Sequence, residues 1–163
     1  MNAKDAIRRS IVSTDMIVDS YLNDMTDAEL MVRSIPGVNH IAWQLGHLIA
    51  SEHNLIEEVM PGSMPALPAG WAEKYTKETA SIDDPKAFHT KAEYLRVMKE
   101  QRAGTLAALA KIPEADLEKP APEAFRQYCP QVADVFLLQG PHYVMHAGQW
   151  AVTRRKLGRP PLF

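Results

Sequence analysis

Apolar side chains recur at three- and four-residue steps along most of the chain, and alternation at steps of two is nowhere long enough to predict a sheet. From Ala3 to Met25, the positions Ile7, Ile11, Val18, Tyr21, Leu22 and Met25 fall on one face of a helix. Pro36 and Gly37 break that pattern, and Asn39 is suited to cap the next helix, HIAWQLGHLIASEHNLIEEVM, which stops at Pro61-Gly62. The stretch PGSMPALPAG predicts a loop, and WAEKYTKETASIDDP has room for one short helical turn. A third long helix is expected after Asp84-Pro85, with Phe88, Leu95, Met98, Thr105, Leu109 and Ile112 facing inward. After a second proline-rich connection, IPEADLEKPAPEAFRQYCP, a fourth helix is expected from near Pro130 to about Leu157, ended by Gly158 and Pro160.

Four long helices without repeats or low-complexity segments predict one all-α domain spanning residues 1–163, a four-helix bundle. Two of its connections run to roughly twenty residues, longer than a bundle needs, so they are crossovers or carry function.

Composition narrows the function. Eighteen basic residues against twenty acidic ones, a formal charge of −2, argue against a nucleic-acid partner. The one basic cluster, Arg154, Arg155 and Lys156, is expected to be a solvated helix end. No run of eighteen apolar residues predicts a membrane span, and the N-terminal stretch lacks the apolar core of a signal peptide. One cysteine, Cys129, excludes an intrachain disulfide and a CxxC site. These features together predict a soluble, cytoplasmic protein, and Cys129 is expected to do no more than pack.

The histidines carry the chemistry. His142 and His146 lie four residues apart, so their rings stack on one helix face about 6 Å apart along the axis and can converge on one ion. At 100° per residue, Val135, Leu138, His142, Met145, His146, Gln149 and Val152 make a continuous inward stripe. Spacing alone leaves a second reading open, two core histidines hydrogen-bonded to their surroundings. On the second helix, His40, Trp43, Gln44, His47, Ser51 and Asn54 share a face, with His47 at its middle. Gly46 costs helix propensity there, of order 1 kcal/mol, which is explicable if another backbone passes close by. His40 stands about 10 Å from His47 along the axis, too far to share an ion; it, His53 and His89 are expected at the surface or on a pocket rim. Pro141 interrupts the fourth helix and either kinks it or restarts it, with Gly140 as the break.

NHIAWQLGHLIASE on the second helix and HYVMHAGQWAVTRRKLGRP on the last together resemble the DinB-like (DinB/YfiT) superfamily. Trp43, Gly46 and His47 match that family's first motif, and His142, His146, Gly148 and Gln149 its second. The resemblance implies a four-helix bundle holding one divalent ion, zinc or nickel, on His47, His142 and His146. His40, Trp43, Gln44 and Gln149, which share the helix faces of these histidines, are candidates for the surrounding pocket.

Three neutral imidazoles leave coordination positions open, which favours a catalytic over a structural ion. No fourth ligand suggests itself, because Glu52 lies off the His47 face and Asn54 two turns away. Such an ion can lower the pKa of a water or hold a thiol as thiolate. The resemblance implies the second: a metal-dependent transferase or isomerase acting on a small molecule with a low-molecular-weight thiol. Two alternatives remain, a metal-dependent hydrolase and a non-catalytic assembly module. A homodimer is expected from the resemblance and from Trp43, Trp71, Trp150 and nearby methionines, read as available for an interface.

Overall fold

The computed structural model describes residues 1–162. It is all-helical: α1 (Ala3–Leu22), α2 (Asp27–Leu30), α3 (Ile41–Val59), α4 (Trp71–Lys74), α5 (Lys91–Lys111), α6 (Val132–Leu138) and α7 (Pro141–Lys156), with short 3-10 turns in the two long connections. Among the described residues there is no strand, only an isolated bridge between Pro120 and Gln131. No helix among them is long and apolar enough to cross a membrane.

Local chemistry sets the boundaries. Asn2, Thr26 and Thr90 each cap a helix by accepting the backbone N–H three residues on, with Asp5, Glu29 and Glu93 completing reciprocal capping boxes. The cap at Thr90 moves the start of the third long helix beyond the predicted Pro85, which instead opens a separate 3-10 turn. The N-cap of α3 is His40 rather than Asn39. Helix α2, which the apolar spacing does not announce, is one turn held by Thr26 and Glu29.

The predicted fourth helix is two helices. Pro141 has no N–H for a continuing ladder, so α6 ends and α7 restarts with proline at its first position. Gly140 lets this junction press against α1: an added Cβ would lie 3.1 Å from the Ser10 carbonyl oxygen and 3.2 Å from Thr14 Cγ2. The restart also rotates the face expected from a continuous helix. The buried residues of α7 are Tyr143, His146, Ala147, Trp150, Thr153 and Arg154, while Met145 and Val152 are exposed.

Helices α1, α3, α5 and the α6–α7 pair pack around two apolar clusters. The larger contains all three tryptophans, which are 6%, 1% and 0% exposed at positions 43, 71 and 150. They are core residues and do not offer the interface expected of them. Cys129 packs inside the other cluster, as expected.

Between the helices lies a buried charge network. Arg102 on α5 donates to Glu52 Oε1 at 3.0 Å and to the Gln139 carbonyl at 3.2 Å, and its Nε stands 3.1 Å from Asp15. Thr105 Oγ1 donates to the same Glu52 oxygen at 2.7 Å, and the guanidinium stacks over the Tyr143 ring at 4.8 Å. At the far end of α7, Arg154 is buried against Asp24, and Arg159 bridges Asp24 and Glu29. The basic cluster is therefore partly a clamp on the α1–α2 turn rather than wholly a solvated helix end.

Candidate metal centre

His47 comes from the middle of α3, and His142 and His146 from the first two turns of α7. One ring nitrogen from each lies within 4.8 Å of the others. The ring centroids stand 5.6 Å (His47–His142), 5.8 Å (His47–His146) and 5.2 Å (His142–His146) apart. The helix restart at Pro141 is compatible with this convergence, since both α7 histidines follow it and keep their i, i+4 relation. Among the described residues, no carboxylate or thiol joins this group.

The donor set fits a divalent ion on two counts. Burial depresses the pKa of all three rings, His142 and His146 to about 4, with the neighbouring histidines adding to the depression at both. Neutral imidazole, the form that ligates a metal, is thus the form present at neutral pH. The second count is the tautomer of His146, which Gln44 dictates. Trp150 Nε1 can only donate, and it meets Gln44 Oε1 at 2.8 Å. That oxygen only accepts, so His146 Nδ1, 2.9 Å from it, must carry its proton there. Nε2 is left with a free lone pair for an ion. Gln44 itself is held by donating Nε2 to Gln149 Oε1 at 3.1 Å and to the Asn39 carbonyl. A ligand histidine anchored through its other nitrogen is the usual support of a metal site.

His47 is oriented differently, by stacking on Trp43 at 5.1 Å with the planes 7° apart. The Trp43 indole N–H donates to Thr76 O and Thr79 Oγ1, tying α3 to the first long connection. That connection folds back over α3 and accounts for Gly46: a Cβ there would fall on the Tyr75 ring, and Trp71 Nε1 donates to the Gly46 carbonyl at 3.1 Å. The close neighbour is a side chain rather than the backbone expected. Nothing lies within 4 Å of a Cβ on Gly148, and the structure offers no reason for that glycine.

Of the predicted pocket residues, Trp43, Gln44 and Gln149 stand beside the triad, while His40 does not line it. His40 is fully buried, its Nδ1 accepting from the Trp43 N–H and its Nε2 donating to the Ile82 carbonyl, both at 3.0 Å. It is a helix cap rather than a rim residue. His53 pairs with Gln101 at 3.0 Å. His89 stacks on Trp71 at 4.4 Å and meets the Tyr75 hydroxyl at 2.5 Å.

A cleft of about 290 Å³ begins at His47 and follows α3 past Ser51 and Asn54. Tyr75 closes one wall, and Phe125 and Tyr128 from the second long connection form another. Tyr75, Phe125 and Tyr128 belong to segments without helical periodicity, so no sequence pattern points to them.

A sequence profile of the DinB superfamily matches residues 11–150, a span that contains all three histidines of the triad. No curated protein and no solved structure gives a match. With the profile covering most of the chain and both histidine-bearing helices, the chain belongs to the DinB superfamily.

Proposed function

We propose that this protein is a metal-dependent enzyme in which His47, His142 and His146 hold one divalent ion, zinc or nickel, beside a small-molecule cleft. The single observation that carries this is a convergent triad of neutral imidazoles with no fourth protein ligand among the described residues. Structural zinc sites are closed by four protein ligands, whereas three leave room for a substrate. When bound, the ion supplies Lewis acidity and stabilises a thiolate. The chain's own part is to hold His146 in one tautomer through Gln44, to fix the His47 ring against Trp43, and to present a cleft that starts at His47. The chemistry that suits this arrangement is transfer or isomerisation of a small molecule assisted by a low-molecular-weight thiol, on a four-helix-bundle scaffold of α1, α3, α5 and α6–α7.

The test is metal content first and turnover second. Untagged protein binds about one divalent ion per chain by elemental analysis. His47→Ala or His146→Ala abolishes that binding, while His53→Ala and His89→Ala retain it. Thiol-dependent turnover of an electrophile disappears with chelator and returns with zinc or nickel. Equal metal loss in all four variants overturns the ligand assignment, and turnover unaffected by chelation overturns the chemistry.

Homodimer formation belongs to the same proposal, now supported by exposed Val144, Met145 and Val152 on α7 rather than by tryptophan. Light scattering at tens of micromolar decides it, a monomer counting against it. The lone buried thiol of Cys129 is compatible with the cytoplasm, the compartment we propose.

A further inference from the structure

We infer that the cleft beside His47 receives an uncharged, aromatic-bodied arm of the ligand, and that it discriminates against an anionic one. This rests on the proposed metal-and-thiol reading for the ligand's reactive end, and on the cleft alone for its body.

The lining of the cleft contains no Asp, Glu, Lys or Arg. Tyr75 adds carbon rather than a polar group, because its hydroxyl is bound to His89 at 2.5 Å and to Tyr94 at 2.7 Å. Burial pushes that phenol further up, so it does not ionise in the working range. Across from it, Phe125 and Tyr128 sit 6.1 Å apart with tilted planes, and Tyr128 is 58% exposed at the lip. Aromatic walls of this kind favour a planar apolar guest, which packs edge or face against them. A carboxylate carried on that arm would lose hydration between these walls, where no Lys or Arg lines the cleft to pair with it.

The polar groups the cleft does offer are neutral. Ser51 and Asn54 follow His47 at four and seven residues on α3, hence on its face. They supply one hydroxyl and one amide for an alcohol, ether or amide on the arm. The guanidinium on the adjoining loop, Arg126, is turned to the Ala121 carbonyl and lines a different depression. A further cavity, about 250 Å³ between α1 and α5, does contain charge. Its Arg102 is already engaged by Glu52, Asp15 and Gln139, so that guanidinium is not free to pair with an anionic ligand.

The experiment uses cobalt(II)-loaded protein, in which sulfur-to-metal charge-transfer absorption reports a bound thiol without requiring turnover. The probes are phenylmethanethiol, 3-mercaptopropionate and 2-mercaptoethanol. Phenylmethanethiol binds at least tenfold more tightly than 3-mercaptopropionate. Tyr128→Ala and Phe125→Ala each cut that preference to threefold or less, and both leave 2-mercaptoethanol unchanged. Equal affinities, or tighter binding of the anionic thiol, overturn the inference. If no thiol produces the band, the thiol reading above fails, and the cleft is then judged with benzyl alcohol against benzoate by amide chemical shifts. Shifts at Ala50 and Ala72 with benzyl alcohol and not with benzoate sustain the inference; neither ligand shifting them, or benzoate doing so, overturns it.

Discussion

Replacing Gln44 by leucine isolates the support of the metal centre from its ligands. The side chain keeps its approximate volume and loses the oxygen that accepts from both His146 Nδ1 and Trp150 Nε1. Both residues are buried, so the two donors are left unsatisfied, at about 1–3 kcal/mol each in metal-free stability. His146 also loses the bond that sets its tautomer, and removing such a support weakens metal binding by about 10–100-fold, which is about 1.4–2.7 kcal/mol. Gln44→Glu separates the two effects. A carboxylate still accepts from both donors and makes the imidazole a better ligand, but it faces Gln149 Oε1 and the Asn39 carbonyl with oxygen instead of an amide. Zinc affinity, read by competition with a chromophoric chelator, therefore falls in Gln44→Leu and holds or rises in Gln44→Glu. The metal-free melting temperature falls in both. A folded Gln44→Leu protein with unchanged affinity, or equal affinity losses in the two variants, refutes the tautomer argument.

Two further predictions concern stability. Arg102→Met strands the Glu52 carboxyl, fully buried and left without its cation, and costs about 3–5 kcal/mol by chemical denaturation, whereas Arg102→Met with Glu52→Leu recovers most of that loss; a loss below about 1 kcal/mol in the single variant contradicts a buried network. The pH dependence follows from the depressed histidines: the folded state holds fewer protons than the unfolded chain between about pH 4 and the unperturbed value near 6.5. Chelated protein is therefore insensitive to these groups above pH 6.5 and loses stability as pH falls from there toward 4. The extra stability conferred by zinc is retained through most of that window and is lost as pH falls toward 4, where protons begin to compete for the ligand nitrogens of the folded site. Melting curves with and without chelator check this, and coincident curves across pH 5–8 show that no ion is linked to folding.

The sequence by itself determined the course of the long helices, apart from the break at Pro141, and the His142–His146 pair, because both depend on local spacing; His47 joined that pair only through the family resemblance. His142 and His146 are one turn apart in any helix that contains them, and the apolar steps around His47 already put it mid-helix. The two short motifs then carried the family. Spacing did not reveal what depends on partners far away in the chain. Gln44 faces the triad side of α3 by periodicity, yet its role is set by Trp150, 106 residues on, which can only donate. His40 looks like a neighbour of His47 on a helical wheel, but it sits at the cap, where its ring belongs to the first turn's backbone. Arg154 looks like a solvated helix end until Asp24 is brought against it. Tyr75, Phe125 and Tyr128 lie in connections whose paths are set by packing on α3 rather than by any repeating pattern. Tertiary structure decided these because hydrogen bonds and burial depend on distance in space, and helical periodicity reports only direction about one axis.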